Sequence, residues 1–186
     1  MFFNIAIRKI IPWFMAILLF LTLQACVAVP VQVVSQDNGP LVEIQAVFES
    51  LLQQGSGVES GQIWHSGWLG NIMINALGGS NRGLCHHWQQ RVYDGVQPTV
   101  SRLGWHAEGV VINRRTYFEH HAVLVYDPQE VSNTDLLEGR SRDRAWVLDG
   151  WRRGQPDVYT LEQWLTLPLV HKVEMQIETL TSKKKQ

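Results

Sequence analysis

The stretch 105-WHAEGVVINRRTYFEHHAVLVY-126 decides the fold. Two apolar runs rich in Val, Ile and aromatic residues flank the polar turn Asn113-Arg114-Arg115. That pattern predicts strands over 105–113 and 120–126. The chain before this stretch has a helical period. Leu41, Ile44, Val47, Phe48, Leu51 and Leu52 form one stripe over 41–53, ended by Gly55-Ser56-Gly57. Trp64, Trp68, Leu69, Ile72, Met73, Ala76 and Leu77 predict a second helix over about 64–77. After the glycine-rich turn 78–83, Cys85, Trp88, Val92 and Val96 share the face of a third, with Ser80 or Asn81 near its start. Residues 98–103 read as a further short helix ending at Gly104.

The chain after the stretch is mostly strand-like. Residues 127–143 are polar and charged, and predict a long loop or an exposed hairpin. Residues 145–149, AWVLD, predict a strand. Thr160 followed by Gln163 matches a capping box, opening a short helix through about Leu167. His171, Val173, Met175 and Ile177 alternate with polar neighbours, so a last strand is expected over 171–177. Helices first and strands after point to an α+β fold with the N-terminal helices packed on an antiparallel sheet.

The N-terminus reads as a targeting segment. Arg8 and Lys9 precede the apolar run IIPWFMAILLFLTL at 10–23, and no acid occurs before it. The run is shorter than the roughly 20 residues a membrane span needs, and its flanks are those of a secretory signal. The ending Leu23-Gln24-Ala25-Cys26 resembles a bacterial lipoprotein signal. The resemblance implies cleavage before Cys26 and a lipid on its sulfur. The alternative is ordinary secretion with cleavage after Ala28. Residues 1–25 are thus expected to be a signal peptide and 26–40 a tether broken by Pro30, Gly39 and Pro40. One domain is expected over 41–180, followed by a basic tail at 181–186. Val27 after the cysteine resembles lipoproteins sent to the outer membrane, which implies an envelope protein facing the periplasm.

Composition sets further bounds. Removing the leader leaves 161 residues, enough for a single core. Arg8 and Lys9 leave with it, so the net charge moves from −1 to −3. With no basic stripe, nucleic acid is not an expected partner. Seven of the eight tryptophans remain, and they suit a core or a groove for peptides. Trp68 and Trp151 are the candidates for a substrate groove. The sequence does not fix an oligomeric state.

With Cys26 lipidated, Cys85 is the one free thiol, and such a thiol in an oxidising compartment calls for an explanation. It is either a small buried apolar residue or a nucleophile. Its place at a helix N-terminus suits a thiolate, which unpaired N–H groups stabilise. His121 opens an apolar strand, and Asp149 ends the next one. An imidazole can carry the thiol proton to a leaving group. A carboxylate on a neighbouring strand can orient that imidazole. Adjacent strand residues face opposite sides, so His120 is the alternative base if the strand is turned over. A rival zinc set of Cys85, His86 or His87, His121 and Asp149 has suitable ligand types but matches no closed zinc spacing.

Three segments resemble the papain-like cysteine superfamily, its transglutaminase-like branch above all: Gly83-Leu84-Cys85, His121-Ala122-Val123 and Trp146-Val147-Leu148-Asp149. The resemblance covers about 64–165. It implies a helix on an antiparallel sheet and acyl transfer through a thioester, with no cofactor and no metal. Cys85 would be the nucleophile, His121 the general base and acid, and Asp149 the orienting group. The substrate would be a peptide or protein amide in the envelope. An alternative from another class is a domain that keeps this fold without catalysis and serves as an envelope binding or assembly module. The crowded Cys85-His86-His87 sequence and the lack of a clear upstream oxyanion side chain (Asn81 and Trp68 are only candidates) motivate it.

Overall fold

The computed structural model describes residues 39–55, 58–59, 62–67, 70, 74, 83–116, 118–167 and 174–182. The signal segment, Cys26, most of the tether, most of the expected helix at 64–77 with Trp68, the 78–82 turn, residues 168–173 and the end of the tail lie outside them. Before the main sheet the described residues include the helices α1 (Pro40–Gly55) and α2 (Cys85–Arg102). Between them a small hairpin pairs β1 (Val58–Glu59) with β2 (Gln62–Ile63). Then follow β3 (His106–Ile112), β4 (His120–Tyr126), α3 (Asn133–Leu137), β5 (Ala145–Asp149), β6 (Asp157–Thr160), α4 (Leu161–Leu165) and β7 (Met175–Glu178). The five strands from β3 onward form an antiparallel sheet in the order β6-β5-β4-β3-β7. The fold is α+β.

Two apolar layers cover this sheet. On one face α1 and α2 bring Phe48, Leu52, Trp88, Val92 and Val96 onto Val123, Val125 and Leu148. On the other, α3 and α4 bring Leu136, Leu161 and Trp164 onto Ala122, Leu124, Val147 and Tyr159. Strand β4 lies between both layers, and all seven of its residues are buried. Its near-continuous apolar run follows from that position. Residues of β4 with odd numbers face α2, and most with even numbers face α4. In β5 the phase is reversed: Val147 faces α4 and Leu148 faces α2.

Helix α2 is one element, not the two expected at 85–96 and 98–103. It runs through Pro98 and ends at Gly104, whose φ of +75° is the left-handed conformation that glycine accepts at a helix end. Its start is fixed from outside. The carbonyl of His65 accepts the indole N–H of Trp88 at 2.6 Å. The same backbone presses on Gly83, where an added Cβ would lie 2.2 Å from the His65 oxygen. Gly83 also has a φ of +134°. The expected loop at 127–143 contains α3, opened by a capping box of Ser132 and Asp135, and a 3-10 turn at Arg142–Arg144. Strand β6 was not expected from sequence. Thr160 and Gln163 do form a capping box, and α4 begins there. The last strand covers 175–178, and the first part of its expected range, 171–173, lies outside the described residues.

Candidate active site

Cys85 is the first residue of α2, and Leu84 precedes it in an extended conformation with no side-chain cap. The thiol is therefore near helix N–H groups that no side chain has satisfied. Sγ lies 3.9 Å from the carbonyl oxygen of Glu119, the residue just before β4. Cys85 is only 8% exposed. Burial pushes the thiol up to about 11, and the backbone N–H groups of His121 and His86 offset only part of this. Glu119 and Asp149 add to the rise. The resting sulfur is a neutral thiol.

The two strand histidines separate onto different partners. Nε2 of His120 lies 2.7 Å from Oδ2 of Asp149, and both side chains are buried. Four further donors converge on the carboxylate. The Trp164 indole N–H and the Arg152 Nε–H donate to Oδ2 at 2.9 and 3.1 Å. The backbone N–H groups of Trp151 and Arg152 donate to Oδ1 at 3.2 and 3.4 Å. Burial alone would raise the Asp149 carboxyl, but His120, Arg152 and Trp164 outweigh it and hold the group well below the usual range. Since Asp149 is a carboxylate, Nε2 of His120 must carry the proton between them. The opposite nitrogen, Nδ1, is buried with no hydrogen-bond partner among the described residues. Burial lowers the His120 imidazole against the pull of Asp149, and Arg152 and His121 lower it further. A neutral ring protonated at Nε2 leaves a bare lone pair at Nδ1.

His121 has no such free nitrogen. It faces α2, where Nδ1 lies 3.3 Å from Oε1 of Gln89. Gln89 is held by its own amide, whose Nε2 donates to the carbonyls of Ala122 at 2.8 Å and Val110 at 3.4 Å. The other ring nitrogen of His121 lies 2.7 Å from Oε1 of Glu119. Burial opposes ionisation of Glu119, but the His121 and Arg115 hydrogen bonds win and lower its carboxyl. The expected side-by-side pair of His121 and Asp149 is therefore not formed. Val123 pairs with Leu148 in the β4–β5 register, which puts Asp149 on the side of His120 and Ala122. His121 points to the other face.

Aromatic rings enclose the His120–Asp149 pair. Trp151 lies 4.8 Å from the His120 ring and Trp164 lies 5.5 Å from it, centroid to centroid. Trp151 is buried and belongs to the same apolar cluster as Cys85. It thus joins the thiol's layer to the imidazole at the end of the sheet, and it is a wall of that site, not an exposed groove residue. The rings of His86 and His87 lie 4.2 Å apart, tilted by 59°, with His86 6.1 Å from His121. Among the described residues no group of three or more His, Cys, Asp or Glu is arranged to hold a metal ion.

Four contributors were not singled out from the sequence: Gln89, Glu119, Trp164 and, as a partner of Asp149, Arg152. Gln89 sits one helical turn after Cys85, and Trp164 follows the Thr160 cap by four residues. Both spacings were readable, but neither residue type signals a site alone. Among the described residues no helix is long and apolar enough to cross a membrane. No family model, no curated protein and no solved structure matches this chain.

Proposed function

We propose that this chain is a cell-envelope cysteine enzyme of papain-like, transglutaminase-like type that breaks or transfers amide bonds through Cys85, with His120 as general base and Asp149 as its orienting group. The observation that carries the reading is the buried His120–Asp149 contact at 2.7 Å, with Nδ1 left unpartnered among the described residues. A buried acceptor without a donor costs about 1–3 kcal/mol. Such a cost is characteristic of a group kept for chemistry. The thiol rests against the backbone one residue away, at Glu119.

The steps follow from the groups present. The Cys85 thiol gives its proton to Nδ1 of His120 as sulfur attacks the amide carbon. Asp149 stabilises the resulting imidazolium through Nε2. Backbone N–H groups at the start of α2 face the developing oxyanion. The C–N bond breaks, the imidazolium protonates the leaving amine, and a thioester remains on Cys85. Water or an amine then attacks the thioester and gives its proton to His120, and sulfur leaves as the thiol. For the first step the thiol must rotate from the Glu119 carbonyl toward Nδ1, a tightening common on substrate binding. Localisation rests on the N-terminal motif: a lipid on Cys26 would tether the domain to the outer membrane, facing the periplasm.

A different observation favours a second reading. A thiol raised to about 11 and only 8% exposed is poorly reactive. It fits a domain that keeps the fold and acts as an envelope binding or assembly module. Trapping the acyl-enzyme separates the two. The full-length protein is incubated with solubilised envelope peptides, quenched in acid and weighed intact. The enzyme reading expects a mass increment on Cys85 that hydroxylamine removes and that Cys85→Ala lacks. Unmodified protein under all conditions would instead favour the binding module.

A further inference from the structure

Oδ2 of Asp149 takes two side chains that are able to carry positive charge: His120 through Nε2 and Arg152 through Nε. An arginine is always charged. The neighbouring Arg153 is committed elsewhere, to both oxygens of Asp157. Asp149 and Arg152 thus already cancel each other's charge. A proton on Nδ1 of His120 would leave a net positive charge in a site where the Asp149 side chain has no solvent exposure, and that is costly. The new N–H would also find no acceptor, because Nδ1 has no partner among the described residues. The cost of the net charge falls on the charged ring alone.

We propose that Arg152 is a positioning residue that holds His120 in its neutral, Nε2-protonated form, so that the Nδ1 lone pair is the proton acceptor of the site. Its guanidinium takes the place that an imidazolium would otherwise fill beside Asp149. The other ionisable groups around His120 do not reverse this. On β4, His121 is paired with Glu119. On β6, Asp157 is paired with Arg153, and Tyr159 keeps its proton. On α2, the Cys85 thiol is neutral. Helix α4 contributes the uncharged indole of Trp164.

The meaning of the lone pair for catalysis rests on the acyl-transfer reading, but the protonation state does not. The test is ¹⁵N NMR of the histidine rings in the full-length protein held in detergent micelles, with His120 assigned from its loss in His120→Gln. In the unsubstituted protein His120 should be neutral and protonated at Nε2 at pH 7, and should remain so as the pH is lowered toward 5. In Arg152→Gln its proton affinity should rise about tenfold or more, one pKa unit or above. Arg152→Lys, which keeps the charge, should stay neutral at pH 7. An imidazolium at pH 7 in the unsubstituted protein would overturn the proposal, as would an unmoved titration in Arg152→Gln. If the Gln variant does not fold, the first spectrum and the Lys variant still decide. A neutral His120 beside an unreactive Cys85 would sink the acyl-transfer reading alone. A reactive, His120-dependent Cys85 with unmoved titration in Arg152→Gln would sink the Arg152 assignment alone.

Discussion

At the scale of single residues, the site turns on which of two adjacent histidines meets Asp149. The sequence identified Cys85 and Asp149 as candidates but paired Asp149 with His121. Hydrophobic alternation normally tells which residues of a strand face the core. Strand β4 is buried on both faces, so His-His-Ala-Val-Leu-Val-Tyr contains no phase to read. The β4–β5 register, visible only in three dimensions, puts His120 on Asp149. The pairing has a pH signature. Burial lowers the His120 imidazole, so the unfolded chain takes up a proton that the fold refuses. Stability should therefore fall as the pH drops below about 6.5. Asp149 is shifted down, so its stabilising share is full above about 3.9 and is lost only as the pH falls further. Urea midpoints from pH 7 to 5 should decline, and His120→Gln should flatten the decline; an equal slope in that variant would contradict the assignment. Trp164→Phe removes one donor from a buried carboxylate and should cost about 1–3 kcal/mol by the same measurement. A loss near zero would mean that the indole N–H does not hold Asp149.

At the scale of elements, most of the scaffold was legible. The helical stripe of α1, the β3 and β4 strands, β5 and the Thr160 cap all carry local signals. What was missed has physical reasons. Residues 98–103 were expected as a separate short helix, yet packing of Val92, Val96 and Val100 keeps α2 continuous through Pro98. Strand β6 is four residues long and has an ion-paired Asp157 at its start, so it shows no alternation. Helix α3 had a readable sign in Ser132-x-x-Asp135, hidden by the charge around it. Two elements support the site directly. Thr160 caps the helix that carries Trp164, so Thr160→Ala should cost about 1 kcal/mol in chemical denaturation. An unchanged midpoint would show that the cap is idle. Gly83 lets the His65 backbone close on the start of α2. Gly83→Ala should displace that start and slow any reaction of Cys85, and a variant with the unsubstituted alkylation rate would disprove the constraint.

At the scale of the whole molecule, the chain is a sheet with helices on both faces. The end of that sheet collects the thiol, the His120–Asp149 pair and the tryptophans around them. The α+β class followed from the order of periodicities. The split of the two histidines between faces did not, because it depends on both layers at once. The proposed tether adds a property of the entire protein. Detergent phase partition in a bacterial host should send the protein to the detergent phase and Cys26→Ala to the aqueous phase. Equal partition would argue against a lipid on that sulfur. The central claim is that His120, and not His121, serves Cys85. The most direct test is the rate of Cys85 alkylation by iodoacetamide from pH 5 to 10, in the unsubstituted protein, His120→Gln and His121→Gln. The account predicts a reaction at neutral pH faster than a thiol titrating near 11 allows, lost in His120→Gln and largely kept in His121→Gln. A slow rate indifferent to His120, or one that depends on His121 instead, would contradict it.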